Sequence, residues 1–338
     1  MNVVGKSRKH LRLLAGLIMG LVAVLLFIGI SISFGIVDIS MLTVVEAFLE
    51  FDGSREHLII STTRLPRALI AAAVGACLAV AGAMTQALTR NPLAAPDLLG
   101  INHGAALLVV LSLFLVGGHN LTLYAWAAFL GAGAVSILVF LLGSAGRGGM
   151  TPLKLTLAGV SVTTLLSAST QSILIFHERS LDEMRFWLAG SVVGRDLALL
   201  VQVLPFMTAG LLLAFFLSRE VDTLQLGDDV AKSLGQPTKM VRTLAFISVV
   251  LLSGSSVAVA GPIGFVGLAV PHLVRSIVGK DHRWIFSYSA VAGAALLLLA
   301  DVAARFILDN QELPVGVMTA IIGAPFFIYL ARRRVHKL

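Results

Sequence analysis

The chain has 338 residues, 57% of them hydrophobic and only 13% charged, with a mean hydropathy of +0.95. Soluble domains carry about 25% charged residues, so this composition excludes a water-soluble fold and describes an integral membrane protein. The formal net charge of +7 lies between apolar runs as a topology signal rather than as a nucleic-acid footprint, and the single cysteine, Cys77, excludes an intrachain disulfide and a cysteine metal site.

Apolar runs long enough to cross a hydrocarbon core of about 30 Å divide the chain into ten predicted spans of one all-α domain over residues 1–338. They lie near residues 13–36, 65–88, 101–118, 121–143, 155–176, 197–217, 241–260, 262–278, 284–304 and 313–331. The first follows Lys6, Arg8, Lys9 and Arg12. It is too long for a secretory signal and lacks a small-residue cleavage site, so it stays as a span. The third and fourth spans, like the seventh and eighth, come from runs too long for a single crossing. Gly117-Gly118-His119-Asn120 and Gly261-Pro262 supply the breaks.

Orientation follows from lysine and arginine. An even number of spans puts both termini on one side. That side then holds Lys6, Arg8, Lys9, Arg12, Arg90, Arg147, Lys154, Arg219, Lys232, Lys239, Arg242, Arg275, Lys280, Arg283, Arg332, Arg333, Arg334 and Lys337, which is 18 of the 25 basic residues. The other side has Arg55, Arg64, Arg67, Arg179, Arg185, Arg195 and Arg305, and no lysine. The positive-inside rule makes residues 1–12, 219–241 and 332–338 cytoplasmic.

Between the sixth and seventh spans, Leu226 to Pro237 carries its own helix signals. Asp228 and Asp229 favour the positive end of a helix dipole, Gly235 suits a left-handed C-terminal cap, and Pro237 blocks continuation. Leu226, Val230 and Leu234 form one apolar stripe on a helix too short to fold alone. It serves either as a surface by which a permease takes a push from a motor or as a linker lying on the lipid.

The spans are nearly free of ionisable groups. Apart from Arg67, Arg242 and Arg275 near span ends, Asp301 and Arg305 near an outer end, and the isolated His103 and His272, they hold besides tyrosines only Cys77. Proton-coupled carriers usually retain buried carboxylates or histidines for a relay, and no such relay is visible. Nor is there a phosphate-binding G-x-x-x-x-G-K-[ST] loop, an H-E-x-x-H zinc motif or a G-x-S-x-G elbow. Any driving energy must come from another chain. The two histidines, without acidic neighbours in sequence, read as packed groups with a backbone hydrogen bond and not as metal ligands.

Small residues are dense in the spans, as in 71–83 and 291–295, which predicts close helix packing. Gly264, Gly267 and Pro271 within 261–272 point to a bent or interrupted helix, or equally to a packing seam. Asn91-Pro92-Leu93-Ala94 departs from the water-channel tripeptide by the extra Leu93 and has no second copy.

Six segments carry a family resemblance in their order along the chain. They are Arg64-Leu65-Pro66-Arg67, Gly82-Ala83-Met84-Thr85-Gln86, Asn91 to Gly100, the Leu-Gly-x3-Ala-x2-Leu-Gly run at 226–235, Gly261 to His272, and Glu312 to Pro325. Together they resemble the FecCD/BtuC family of ABC importer permeases over nearly the whole chain. The resemblance implies a ten-span fold without chemistry on the substrate and with no cofactor on this chain. It implies a homodimer or a heterodimer with a similar permease, two cytoplasmic ATPase subunits that bind ATP and Mg, and an extracytoplasmic substrate-binding protein. Leu226, Gly227, Asp228, Ala231, Leu234 and Gly235 then fall in the loop that rests on the ATPase. Arg64, Arg67 and Arg305 match arginines that pair with glutamates of the binding protein. Asp301, four residues before Arg305, could instead hold that arginine locally. Thr151 and Pro152 fall where the family has a cytoplasmic gate, with proline in place of a hydroxyl residue. The run 91–105 looks closer to members that import iron chelates. Cobalamin or haem is the rival cargo, and an ion-coupled secondary carrier the rival class.

Overall fold

A computed structural model describes residues 3–35, 39–117, 120–146, 151–176, 184–307 and 311–335. Gly118, His119, Arg147, Arg179 and Lys337, used above for breaks or orientation, lie outside them. Helix α1 (Val3–Ser33) is followed by α2 (Met41–Leu49) and by α3 (Arg55–Ile59), which runs through a π turn (Ile60–Arg64) into α4 (Leu65–Thr89). A 3-10 turn at Pro96–Leu99 leads to α5 (Ile101–Val116), α6 (Leu121–Ser144), α7 (Pro152–Phe176) and α8 (Leu197–Phe216). Two short helices, α9 (Ser218–Leu224) and α10 (Asp228–Ser233), precede α11 (Thr238–Ala260). The chain finishes with α12 (Val266–Val278), α13 (His282–Ala304) and α14 (Val315–Val335).

Seven of the described helices are long and apolar enough to cross a membrane. The remaining three predicted spans correspond to the shorter apolar helices Ile101–Val116, Val266–Val278 and Val315–Pro325. The eighth span starts at Val266, later than its predicted position at 262. The interruption falls at 261–265, and Pro271 sits inside α12 without ending it. Gly261 at φ +71° and Phe265 at φ +72° turn the chain there.

Helices α4 and α11 occupy the middle of the bundle, whereas α1 is covered on only a narrow stripe. Leu14, Ile18, Met19 and Leu25 of α1 are exposed, as side chains facing lipid are. In lipid the force between helices is close packing, and glycine sets how close the backbones come. A Cβ at Gly82 would lie 1.8 Å from the carbonyl oxygen of Gly267, and one at Gly75 would lie 2.3 Å from that of Gly293. Of the two readings for Gly267, the structure shows the packing seam. Gly82→Ala should therefore push α4 and α12 apart at a cost of about 1–3 kcal/mol. Thermal denaturation of the purified protein in detergent measures that loss, and Gly133→Ala, on helix α6 with its nearest contact at 4.0 Å, gives the baseline.

The segment 91–100 does not spread over the surface. Pro96 meets the Gly267 position at 3.1 Å, and the Leu98 carbonyl lies 2.0 Å from where a Gly159 Cβ would be. The chain thus turns back into the bundle before Gly100, at φ +73°, releases it into α5.

Candidate functional site

At one end of the bundle the chain gathers three arginines around two acids. Pro66 has no N–H to give and its ring crowds the carbonyl four residues back, so the helix widens into the π turn, with Leu65 N–H donating to Ile60 O. That turn carries Arg64, whose Nη1 donates to the carbonyls of Ile32 and Ser33, each at 2.7 Å. Arg305 at the end of α13 donates through Nη1 to Ser31 O at 2.7 Å and Phe34 O at 2.6 Å. Both guanidiniums therefore close the C-terminal end of α1, whose last turn has no basic residue of its own and whose final carbonyls need donors.

Arg67 reaches sideways. Its Nε lies 3.0 and 2.9 Å from the two carboxylate oxygens of Asp301, its Nη2 2.8 Å from Oδ1, and its Nη1 2.6 Å from Glu312 Oε2. Asp301 also accepts from Arg305 Nη2 at 2.5 Å, the local pair foreseen four residues apart. Asp301 is 1% exposed, and Arg64, Arg67 and Arg305 are 6%, 6% and 7% exposed. In this structure each of the three arginines is buried and bonded within its own chain.

The opposite end carries the segment between α8 and α11. Gly227, at φ +115°, makes the sharp entry to α10, and Gly235, at φ +78°, makes the left-handed exit, beyond which Pro237 blocks continuation. Gly235 N–H donates to Lys232 O at 2.9 Å and Gln236 N–H to Ala231 O at 3.0 Å, closing the helix end. Asp228 does more than favour the dipole. Arg90 donates to it at 2.5 Å, and Arg242 donates to the same oxygen. Burial alone would raise the Asp228 carboxyl, but Arg242 and Arg90 hold it below the usual carboxylate range. The clasp is therefore complete above about pH 4 and is lost only as pH falls through that lowered value. Gln236 Nε2 adds a bond of 2.8 Å to Glu220 O.

This clasp decides which face of α10 is covered. Ala231 is fully buried, whereas Leu226, Val230 and Leu234 are 63%, 46% and 65% exposed. The stripe read from spacing is real, and none of the described residues packs over it.

Thr151 and Pro152 stand exposed at the start of α7. Pro152 takes the first helical position, where no donor is needed, and Thr151 Oγ1 accepts from Lys154 N–H at 3.3 Å. The hydroxyl is thus used as a cap. His103 also differs from expectation: Asp97, on the folded-back segment, stands 3.6 Å from its Nδ1, so it does have an acidic neighbour. No group of three or more metal-ligating side chains occurs among the described residues.

Sequence reasoning missed Asp301 as the shared partner of Arg67, missed Glu312, and missed the Arg90 and Arg242 clasp. Arg67 and Asp301 are 234 positions apart, and Arg90 and Asp228 are 138 apart, so no local signal could have joined them.

A chain of apolar, lipid-facing helices with an exposed apolar stripe on a braced loop is a polytopic membrane protein. The profile of the FecCD transport family matches residues 21–333, and the chain belongs to that family. It is 48% identical to the probable siderophore transport system permease protein YfiZ of Bacillus subtilis, over 90% of this chain and 91% of that one. It is 47% identical to the Fe(3+)-citrate import system permease protein YfmD of the same organism, over 94% of this chain and 95% of that one. Among solved structures it resembles an ABC transporter assigned to the metal-chelate type and held inward-facing. The TM-score is 0.82 at 30% identity, covering 95% of this chain and 99% of the other.

Proposed function

We propose that this chain is the permease subunit of an ABC importer that carries an Fe(III) chelate across the bacterial cytoplasmic membrane, powered by a separate ATPase. The observation that carries this reading is near-full-length identity of 48% and 47% to permeases named for siderophore and ferric citrate transport. The reading takes the seven long apolar helices together with the three shorter ones as ten crossings, and the bias of lysine and arginine supports both termini and the α9–α10 segment on the cytoplasmic side. The permease works as a homodimer or with a similar partner, between two ATPase subunits and an external binding protein.

Within this proposal the exposed stripe Leu226, Val230 and Leu234 receives the ATPase, and the Asp228 clasp transmits its motion to α4 through Arg90 and to α11 through Arg242. Thr151 and Pro152 border the cytoplasmic gate. Arg64, Arg67 and Arg305 contribute to docking by holding the end of α1 against α4 and α13, and so shaping the face on which the binding protein sits. The test is uptake of radioactive iron by cells that express the permease with its ATPase and binding protein. ATP-dependent accumulation of iron supplied as chelate supports the reading, and accumulation driven by an ion gradient without the ATPase rejects it.

A further inference from the structure

Beside the arginine-rich end lies a cavity of about 440 Å³ whose wall includes Tyr124, Phe186, Trp187, Arg195, Glu312 and Pro314. Its floor is the loop before α8. Gly190 and Gly194, at φ +72° and +66°, give that loop its shape. Ser191 N–H donates to Ala260 O at 2.8 Å and Gly316 N–H to Gly190 O at 3.0 Å, fastening it to the ends of α11 and α14. Arg195 is thereby fixed, yet its guanidinium is barely used. One long bond runs from Nε to Ser191 O at 3.4 Å, and no carboxylate pairs with it among the described residues. Burial draws it below its ordinary value, though an arginine keeps its charge in any protein site.

The described acids nearby are engaged. Asp196 accepts from Ala198 N–H as the cap of α8, and Glu312, the acid on the cavity wall, is bonded to Arg67 at 2.6 Å. The wall therefore presents a cation with unused donors beside aromatic faces. A half-buried guanidinium favours a planar oxyanion that can meet two of its N–H groups at once, and flat conjugated or carbon-rich ligand surfaces pack on aromatic rings. The volume falls within the range of small-molecule sites, about 300–1,000 Å³.

We infer that this cavity is a subsite for an anionic, oxygen-rich chelate, with carboxylate or catecholate oxygens received by Arg195 and the ligand framework by Phe186 and Trp187. The inference rests on the iron-chelate reading and deepens it by fixing the sign of the cargo's charge. A cationic chelate gains nothing from Arg195 and is repelled by it.

The test uses the assembled importer in lipid nanodiscs. Ferric citrate and a ferric trihydroxamate of net positive charge are titrated separately while tryptophan emission is followed. Fe(III) chelates quench at short range, and Trp187→Phe identifies the contribution of the cavity wall. Arg195→Gln should weaken ferric citrate binding by about tenfold or more, as loss of a charge-assisted hydrogen bond does. Arg195→Lys should weaken it less, and Arg195→Gln should leave binding of the cationic chelate no weaker than in the wild type and strengthen it where repulsion is felt, all with unchanged thermal unfolding. The subsite is overturned if Arg195→Gln leaves ferric citrate binding intact, if it weakens both chelates alike, or if the wild type binds only the cationic chelate or neither. Iron uptake measured in parallel separates the two claims: Arg195-dependent quenching without uptake of any chelate would reject the importer reading and leave the subsite standing.

Discussion

Replacing Asp301 with asparagine should destabilise the protein by about 3–5 kcal/mol, the range for removing one partner of a buried ion pair. The reason is geometric. Asp301 is 1% exposed and accepts from both Arg67 and Arg305, so its loss leaves Arg305 with only neutral partners and Arg67 with Glu312 alone, both guanidiniums being nearly buried. The asparagine amide would also aim a donor at one of them. Glu312 makes a useful contrast, because its side chain is 22% exposed. Glu312→Gln should cost about 1 kcal/mol or less, in the range of partly solvated pairs. Thermal denaturation of both variants in detergent, with the fraction inserted in membranes as a second readout, checks the ranking. If Asp301→Asn unfolds together with wild type, the arginine cluster is a solvated assembly and its role in bracing α1 is refuted.

The double substitution Leu226→Glu with Leu234→Glu should give the opposite profile, a normally folded protein that no longer transports. Both side chains are mostly exposed, at 63% and 65%, so the isolated permease loses little by the change. If the ATPase covers them, each leucine contributes about 1.5–3 kcal/mol to the contact. Losing both should weaken association by a factor of roughly 10² to 10⁴. Co-purification of the ATPase with the tagged permease measures that loss directly. A double variant that retains its ATPase and transports normally would make α10 the lipid-surface linker that helix grammar alone equally allows. Ala231→Leu should behave differently again, since that position is fully buried and the larger side chain would lift α10 off its seat before any partner is met.

The same contrast marks the boundary between local and long-range information. Unlike the short helices α2, α3 and α9, which carry no comparable apolar run, the long apolar helices, the break at Gly261, the capped turn at 226–237 and the apolar stripe depend on residues within a few positions of one another. The sequence alone determines them, because hydrophobic periodicity and glycine conformations are local properties. Membrane class and the bias of basic residues are likewise sums over the chain. Tertiary structure decided what the charges do. Arg64 and Arg67 stand at the start of their own helix, where a cation opposes the dipole, and only the fold shows that their neighbours include the C-terminal carbonyls of α1 and the carboxylate of Asp301. Asp97 and His103 are close in sequence, yet their approach depends on segment 91–100 turning back into the bundle against Gly159 and Gly267. Arg195 read as one more outer cation until the loop around Gly190 and Gly194 set it into an aromatic wall. In each case the deciding partner lies on another helix, and its distance is set by packing that no local pattern encodes.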